Sequence, residues 1–505
     1  MRTYAKLGLL VAAVLALAVL AGRGTPAYAW GYPAALNTNA ATDSGYDRDA
    51  QVATDGGGNW VAVWSSSEDL GGIGTDSDIL VARSTDNGAT WTAPAALNSN
   101  AATDSGGDFQ PQVATDSGGN WVAVWSSSED LGGIGTDSDI LVARSTDNGA
   151  TWTDPVALNT NAGSDSGDDF FSQVATDGGG NWVAVWSSLD SLGGTIGTDF
   201  DVLVARSTDN GATWTATAPL NSNAAGGGAP DLYGDVATDG GGNWVAVWHS
   251  RDNLGGTIGG GLDILVALST DNGATWTAPA ALNTNAATDS GDDGQPQVTT
   301  DGGGNWVTVW HSDDGLGGAI GTDWDILVAR SINNGSTWTA TAALNTNAAS
   351  DSGTDRGPQV TTDGAGNWVA VWRSEEDLGG TIGTDSDILV ARSTDNGATW
   401  TAPAALNTNA ATDSEGDHHA EVTTDGGGNW VAVWYSFENV GGTIGTDADI
   451  LYATEVPVAV GGIAAVPEVS DPAGRNYVAL AGLTAAAALV ALSAAAWYAR
   501  RRWVG

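Results

Sequence analysis

Eight residues, STDNGATW, stand at 84–91 and return at 145, 207, 269 and 393, with a variant SINNGSTW at 331. A second phrase, WVAVW, keeps the same spacing of about 61 or 62 residues. It occurs seven times, starting at Trp60, Trp121, Trp182, Trp244, Trp306 (here WVTVW), Trp368 and Trp430. A period of this length means one supersecondary unit repeated along the chain, because a single unit cannot bury its own apolar faces and must stack on its copies. For 505 residues, one assembly of seven units is therefore a better expectation than several unlike domains.

Turn residues divide the unit. In the first copy, 51–54 reads as a short strand, 55–59 (DGGGN) as a turn, 60–66 as a second strand and 68–76 as a loop. A third strand follows at 79–83, and the STDNGATW turn leads into a fourth at 91–97. Four short antiparallel strands are the content of one propeller blade. Trp60, Ala62 and Trp64 point to one side of the sheet and Val61 and Val63 to the other. Both faces are apolar, so both need cover, and blades stacked around a ring supply it. The tryptophans then read as core residues rather than ligand platforms.

Residues 30–37 (WGYPAALN) match 91–98 (WTAPAALN), a fourth strand, whereas the last copy stops at a third strand, 449–454. A ring in which the first strand completes the last blade removes both open edges. The expected fold is all-β: a seven-bladed β-propeller of four-stranded antiparallel blades over residues 30–455, closed by its two ends.

Residues 1–29 carry Arg2 and Lys6, an apolar run and a small-x-small site at Ala27-Tyr28-Ala29, the pattern of a secretory signal peptide. After a linker, 456–477, the apolar run 478–499 is long enough to span a bilayer as a helix, and the basic tail 500–505 would stay cytoplasmic. With Val466-Pro467-Glu468-Val469 ahead of them, these segments resemble a PEP-CTERM sorting signal, which implies processing by an exosortase; the motif reads Pro-Glu-Val rather than Pro-Glu-Pro. A plain C-terminal anchor is the alternative, and either places the repeats at the cell surface or in its matrix. There are no cysteines, so disulfide and thiolate-metal chemistry is excluded. A net charge of -44 makes nucleic acid and anionic lipid poor partners and cations good ones.

STDNGATW fits the Asp-box, Ser-x-Asp-x-Gly-x-x-Trp. On five full copies at the same turn, the chain resembles the sialidase (neuraminidase) superfamily of β-propellers with BNR/Asp-box repeats. The motif itself reads as structural: Asp86 accepts hydrogen bonds from its own turn, Gly88 adopts a conformation closed to other residues, and Trp91 packs beneath the hairpin. The resemblance implies three arginines that clamp a substrate carboxylate, a tyrosine–glutamate nucleophile pair and an aspartic acid. Arg83, Arg144, Arg206, Arg330 and Arg392 lie beside the Asp-box turns, away from the loop face. Arg48, Arg251, Arg356 and Arg373 remain, the family's Phe/Tyr-Arg-Ile-Pro motif is missing, and Tyr233, near Arg251, is the best remaining nucleophile candidate.

Strand direction puts the Gly-rich and Asp-box turns on one face and the loops 68–76 and 37–50 on the other. Differences between copies concentrate on the second face, where binding residues are expected. An aspartate recurs in every blade-to-blade loop: Asp47, Asp108, Asp169, Asp231, Asp293, Asp355 and Asp417. These aspartates either cap their loops or, with pairs such as Asp76 and Asp78 or Asp168 and Asp169, contribute to oxygen-rich Ca²⁺ sites. The residue after each aspartate varies, as does the residue after WVAVW. The expected ligand-binding set drawn from these positions and Tyr233 is Arg48, Phe109, Phe170, Tyr233, His249, His311, Arg356, Arg373, His418 and Tyr435. Near-identical repeats suit a binding or adhesion module for glycans better than an active site, which needs different residues on different blades. A sialidase-type exo-glycoside hydrolase and a structural protein of the envelope or matrix are the alternatives.

Overall fold

Each WVAVW phrase forms the second strand of a separate antiparallel sheet, and each is flanked by the strands that its turns demand. The computed structural model describes residues 27–458, with Gly227 and Ser290 excepted. The expected signal peptide up to residue 26, the expected linker from residue 459, the expected membrane span 478–499 and the expected basic tail 500–505 lie outside the described residues. Among the described residues, no helix is long and apolar enough to cross a membrane.

The first blade consists of Asp47–Thr54, Trp60–Ser66, Asp78–Ser84 and Ala95–Ala96, hydrogen-bonded in that order. Five further sheets repeat this plan. In the seventh, Asp417–Thr424 and Trp430–Ser436 are followed by Asp449–Val458, whose outer edge pairs with two segments from earlier in the chain, Ala27–Trp30 and Ala34–Ala35, so this sheet has five strands. Ala34 pairs with Tyr452 and Ala35 with Leu451, so the ring closes as the repeat phase requires. Trp30–Val456 forms one compact unit.

Two strands differ from their expected bounds. The innermost strand starts at Asp47, four residues before the expected start at Gln51, because a bulge between Arg48 and Gln51 interrupts the alternation. The outermost strand shrinks to Ala95–Ala96. Its backbone still pairs at both ends, Thr92 N–H to Arg83 C=O (2.8 Å) and Leu97 N–H to Ile79 C=O (2.7 Å), but Pro94 has no N–H to give between them.

The core lies between blades. Val61, Val63, Ile79 and Val81 of the first blade pack against Trp121, Ala123, Trp125 and Leu141 of the second. The tryptophan face of the first blade meets Val431 and Val433 of the seventh, so all seven boundaries use the same contact. Trp121 and Trp125 are fully buried. An indole removes roughly 150–250 Å² from water, which at about 25 cal/mol per Å² offers ~4–6 kcal/mol as an upper bound.

The Asp-box locks the outer hairpin. Ser84 Oγ donates to Asp86 Oδ1 (2.7 Å), and Asp86 accepts the Thr90 N–H (2.9 Å) and hydroxyl (2.7 Å). Gly88 sits at φ 76°, where an added Cβ would lie 2.6 Å from Val431 Cγ2 of the neighbouring blade. In the divergent copy Asn333 keeps the pattern: its Oδ1 accepts from Ser331 Oγ (2.9 Å) and Thr337 N–H (3.0 Å).

Candidate functional site

The seven innermost strands surround the propeller axis, and the bulge near the start of each turns one residue inward. That residue has a positive φ in every blade: Asp49, Gln110, Phe171, Tyr233, Gln295, Gly357 and His419. Together they line a cavity of about 540 Å³ at the axis. Two residues further along come Gln51, Gln112, Gln173, Gln297 and Gln359, which also line it. The remaining two blades carry Asp235 and Glu421 at this level, and neither lines the cavity.

The cavity opens toward the loop face, because each innermost strand begins there. Glu68, from the 68–76 loop, accepts the N–H groups of Ser44 and Gly45, both at 3.1 Å, which ties the two variable loops together on that face. On the opposite face, the Gly-rich and Asp-box turns of one blade meet where Asn148 N–H reaches Gly119 C=O (3.4 Å). Arg144 is committed there too, its Nε donating to Asn210 C=O at 2.7 Å.

The two variable positions singled out in the sequence are cross-strand neighbours. Leu232 pairs with His249, Gly294 with His311, Arg356 with Arg373 and His418 with Tyr435. Of the ten expected ligand residues, Tyr233, His249, His311, Arg356 and Arg373 line the cavity. Arg48, His418 and Tyr435 form a second cluster between the last and first blades. His418 lies 5.1 Å from Tyr435, and the Arg48 guanidinium sits 4.9 Å from the Tyr46 ring centroid and 6.0 Å from that of Tyr435. Phe109 projects outward with 46% exposure. Phe170 lies 6.2 Å from Phe171, beside the cavity wall.

One wall is aromatic. Phe171 and Tyr233 stack with centroids 4.0 Å apart and an interplanar angle of 29°, and His249 meets the Tyr233 ring edge-on at 5.3 Å. Opposite in the chemical sense is a cationic corner, where Arg356 lies over the Trp324 ring at 4.4 Å and His311 approaches the same ring at 5.0 Å. Arg373 is held by Ser386 Oγ (3.0 Å) and Glu375 (2.7 Å). Arg251 is half-exposed and reaches Asp292 at 3.5 Å.

Burial dominates the ionisation of these groups. It lowers His249 to about 4, helped by Arg251 and opposed by Asp292, and His311 to about 3, helped by Arg356. Both are neutral near pH 7. Burial raises the Tyr233 phenol, which works against a phenolate nucleophile. Glu421 is pushed up to about 8 by burial and then by the charge of Asp235.

Apart from Tyr233, sequence reasoning missed the inward ring, and it missed Trp324. The signal was present, since the second residue after each recurrent aspartate differs in kind from blade to blade, but a strand started at Gln51 leaves those residues in a loop.

The recurrent aspartates themselves are almost fully buried, Asp47 at 1% and Asp108 at 0% exposure. They cluster at the blade boundaries with other carboxylates that a metal ion could bridge, among them Asp43, Asp47 and Asp449 at one boundary and Asp263, Asp289 and Asp293 at another. Asp168, expected beside Asp169, instead accepts the Ser138 N–H at 3.0 Å.

A family model described as a BNR repeat-like domain matches residues 180–433. No curated protein matches the chain. Among solved structures, a protein of unknown function from Dyadobacter fermentans is similar at 15% identity, covering 86% of this chain and 100% of its own, with a TM-score of 0.48. The Hadza microbial sialidase Hz136 is similar at 20% identity, 72% and 66% coverage and a TM-score of 0.41. The Penicillium chrysogenum α-L-arabinanase complexed with arabinobiose is similar at 14% identity, 68% and 93% coverage and a TM-score of 0.43.

Proposed function

The chain belongs to the BNR repeat-like domain family, and on that premise we propose that it is an exported, surface-anchored propeller whose axial cavity binds a glycan. The observation that carries this reading is the lining of the cavity. Stacked Phe171 and Tyr233 offer an aromatic face to the C–H side of a sugar ring, while glutamine amides, neutral histidines and Asp49 supply paired donors and acceptors for hydroxyls. A volume of about 540 Å³ suits a mono- or disaccharide. Arg356 and Arg373 add a positive corner, so a sugar carrying a carboxylate fits one side of the site. Export and anchoring rest on residues 1–29 and 466–505 of the sequence.

Binding without hydrolysis is the preferred form. Among the described residues, Arg356 and Arg373 are the arginines that line the cavity, and they are cross-strand neighbours on one blade rather than a three-sided clamp. Tyr233 packs on Phe171 and His249 and has Gln295, an amide rather than a carboxylate, as a hydrogen-bond partner among the described residues.

The test is a glycan array probed with the tagged propeller, followed by titration of any hit against a Phe171→Ala/Tyr233→Ala double variant. Binding weakened at least tenfold by the double change, with unchanged thermal stability, is expected. Binding that survives it would remove the axial cavity as the site. Turnover of a fluorogenic sialoside, lost on Tyr233→Phe, would replace the binding reading with the hydrolase.

A further inference from the structure

At every blade boundary on the loop face, an asparagine side chain is surrounded by carboxylates. Asn98 Nδ2 donates to Asp78 Oδ1 and Asp108 Oδ2, both at 2.9 Å, and to Asp104 Oδ2 at 3.4 Å, while its Oδ1 accepts the Ile79 N–H at 3.1 Å. An amide has two hydrogens for these three acceptors, so the site is short of donors. The shortage is visible atom by atom. Asp76 Oδ2, Asp78 Oδ2, Asp104 Oδ1, Asp108 Oδ1 and Asn100 Oδ1 are all buried with no hydrogen-bond partner. Asp78 and Asp108 are themselves 0% exposed. Ligand oxygens of Asp76, Asp78 and Asp104 come within 4.8 Å of one another.

The pattern repeats. Asp139, Asp201, Asp263, Asp325, Asp387 and Asp449 open the third strand of the other six blades, each with Oδ2 orphaned and at most 2% exposure. The charged neighbours that act on these carboxyls are further acids: Asp104 and Asp76 on Asp78, and Asp76 and Glu129 on Asp104. A buried group of like charges with unsatisfied oxygens is costly unless a cation or protons occupy it.

We propose that each of these boundaries is a binding site for a divalent cation of the calcium class, one per pair of adjacent blades, and that the cations staple the ring. Oxygen-only ligands from flexible carboxylates and an amide, in numbers approaching six, suit Ca²⁺ rather than the smaller Mg²⁺ or a nitrogen- and sulfur-seeking metal. The staple follows from the connectivity: Asp76 and Asp78 belong to the first blade, and Asp108 begins the innermost strand of the second. Two of the seven sites have fewer carboxylates. Gly227 stands at the position of Asp104 and Gly261 at that of Asp76, so five sites carry four aspartates and two carry three. The proposal is independent of the glycan reading, since none of these aspartates lines the axial cavity.

The experiment uses the full chain stripped with chelator and dialysed at pH 8. Isothermal titration with CaCl₂ should show about five tighter and two weaker sites per chain, with Mg²⁺ displacing Ca²⁺ only in large excess. Terbium luminescence excited through tryptophan gives a second readout. Asp78→Asn should remove one tight site, and Asp78→Asn with Asp139→Asn two, while circular dichroism stays native. The midpoint of thermal unfolding should rise with Ca²⁺ in the parent and rise less in the variants. Absence of Ca²⁺ uptake up to millimolar concentration by natively folded protein, or a stoichiometry unchanged by Asp78→Asn, would overturn the proposal and leave protons as what fills the sites.

Discussion

Asn37 donates a 2.7 Å hydrogen bond to Asp449, a residue 412 positions away in the chain. Its Nδ2 also reaches Asp47 at 2.8 Å, and its Oδ1 accepts the Ile450 N–H at 3.1 Å. One side chain thus joins the outer strand, the third strand and the next blade at the point where the ring closes.

Asn37→Ala should therefore leave two buried carboxylates without a donor and cost about 1–3 kcal/mol. Denaturant unfolding in calcium-free buffer measures it, with the exposed Thr38→Ala as control. Asn98→Ala, which loses the same bonds at an internal boundary, should cost a similar amount. A much larger effect at Asn37 would mean that closure is the weak point of the ring.

Trp125→Ala empties the space between two blades and should destabilise by about 3–5 kcal/mol. Trp152, at the outer hairpin and only partly buried, packs against the same cluster from the rim. Its replacement by alanine should cost less than half as much, and thermal melts of the two variants give the comparison directly.

Gly211→Ala tests the close approach of the Asp-box to its neighbour. The glycine has φ 71°, and a Cβ would stand 2.6 Å from Val122 Cγ2, so backbone strain and overlap act together. A loss of about 2 kcal/mol or more is expected, relieved in part by Val122→Ala in the same chain.

His249 and His311 make stability depend on pH. Each ring accepts a backbone N–H at Nδ1, from Gln295 and Gly357 respectively, both at 3.4 Å, which requires the neutral form. Their folded values of about 4 and about 3 lie below the ordinary 6.5, so the unfolded chain binds these protons more tightly. The stabilisation is complete above about pH 6.5 and is lost as pH falls through about 4 for His249 and about 3 for His311, on the order of 3 and 5 kcal/mol respectively. Arg251, Asp292 and Arg356 face these rings and tune the window. Unfolding measured from pH 7 to 4 should show a shallower decline in the His249→Gln/His311→Gln variant than in the parent.

The blade plan was legible because it repeats. The phase of WVAVW against STDNGATW fixes strand order, and the match between residues 30–37 and 91–98 foretells the pairing of Ala34 with Tyr452. The cavity was less legible, for a local reason. A residue with positive φ at Asp49 or Tyr233 breaks the period-two pattern by which a strand is recognised, so the inward ring hides in what reads as a loop. The acidic clusters were half legible. Asp47 and its counterparts stand out by recurrence, but no spacing within a single repeat reveals that Asp108 meets Asp78 across a blade boundary through Asn98.

The same valine-on-tryptophan contact at all seven boundaries has an evolutionary consequence. A blade that fits between any two neighbours fits between all of them, so duplication, loss or reshuffling of a repeat would disturb the binding wall and spare the packing. The order of Asp49, Gln110, Phe171, Tyr233, Gln295, Gly357 and His419 around the axis is then held by the order of the gene alone. Such a ring can trade one recognition surface for another by recombination between its own repeats, without first having to solve the problem of folding again.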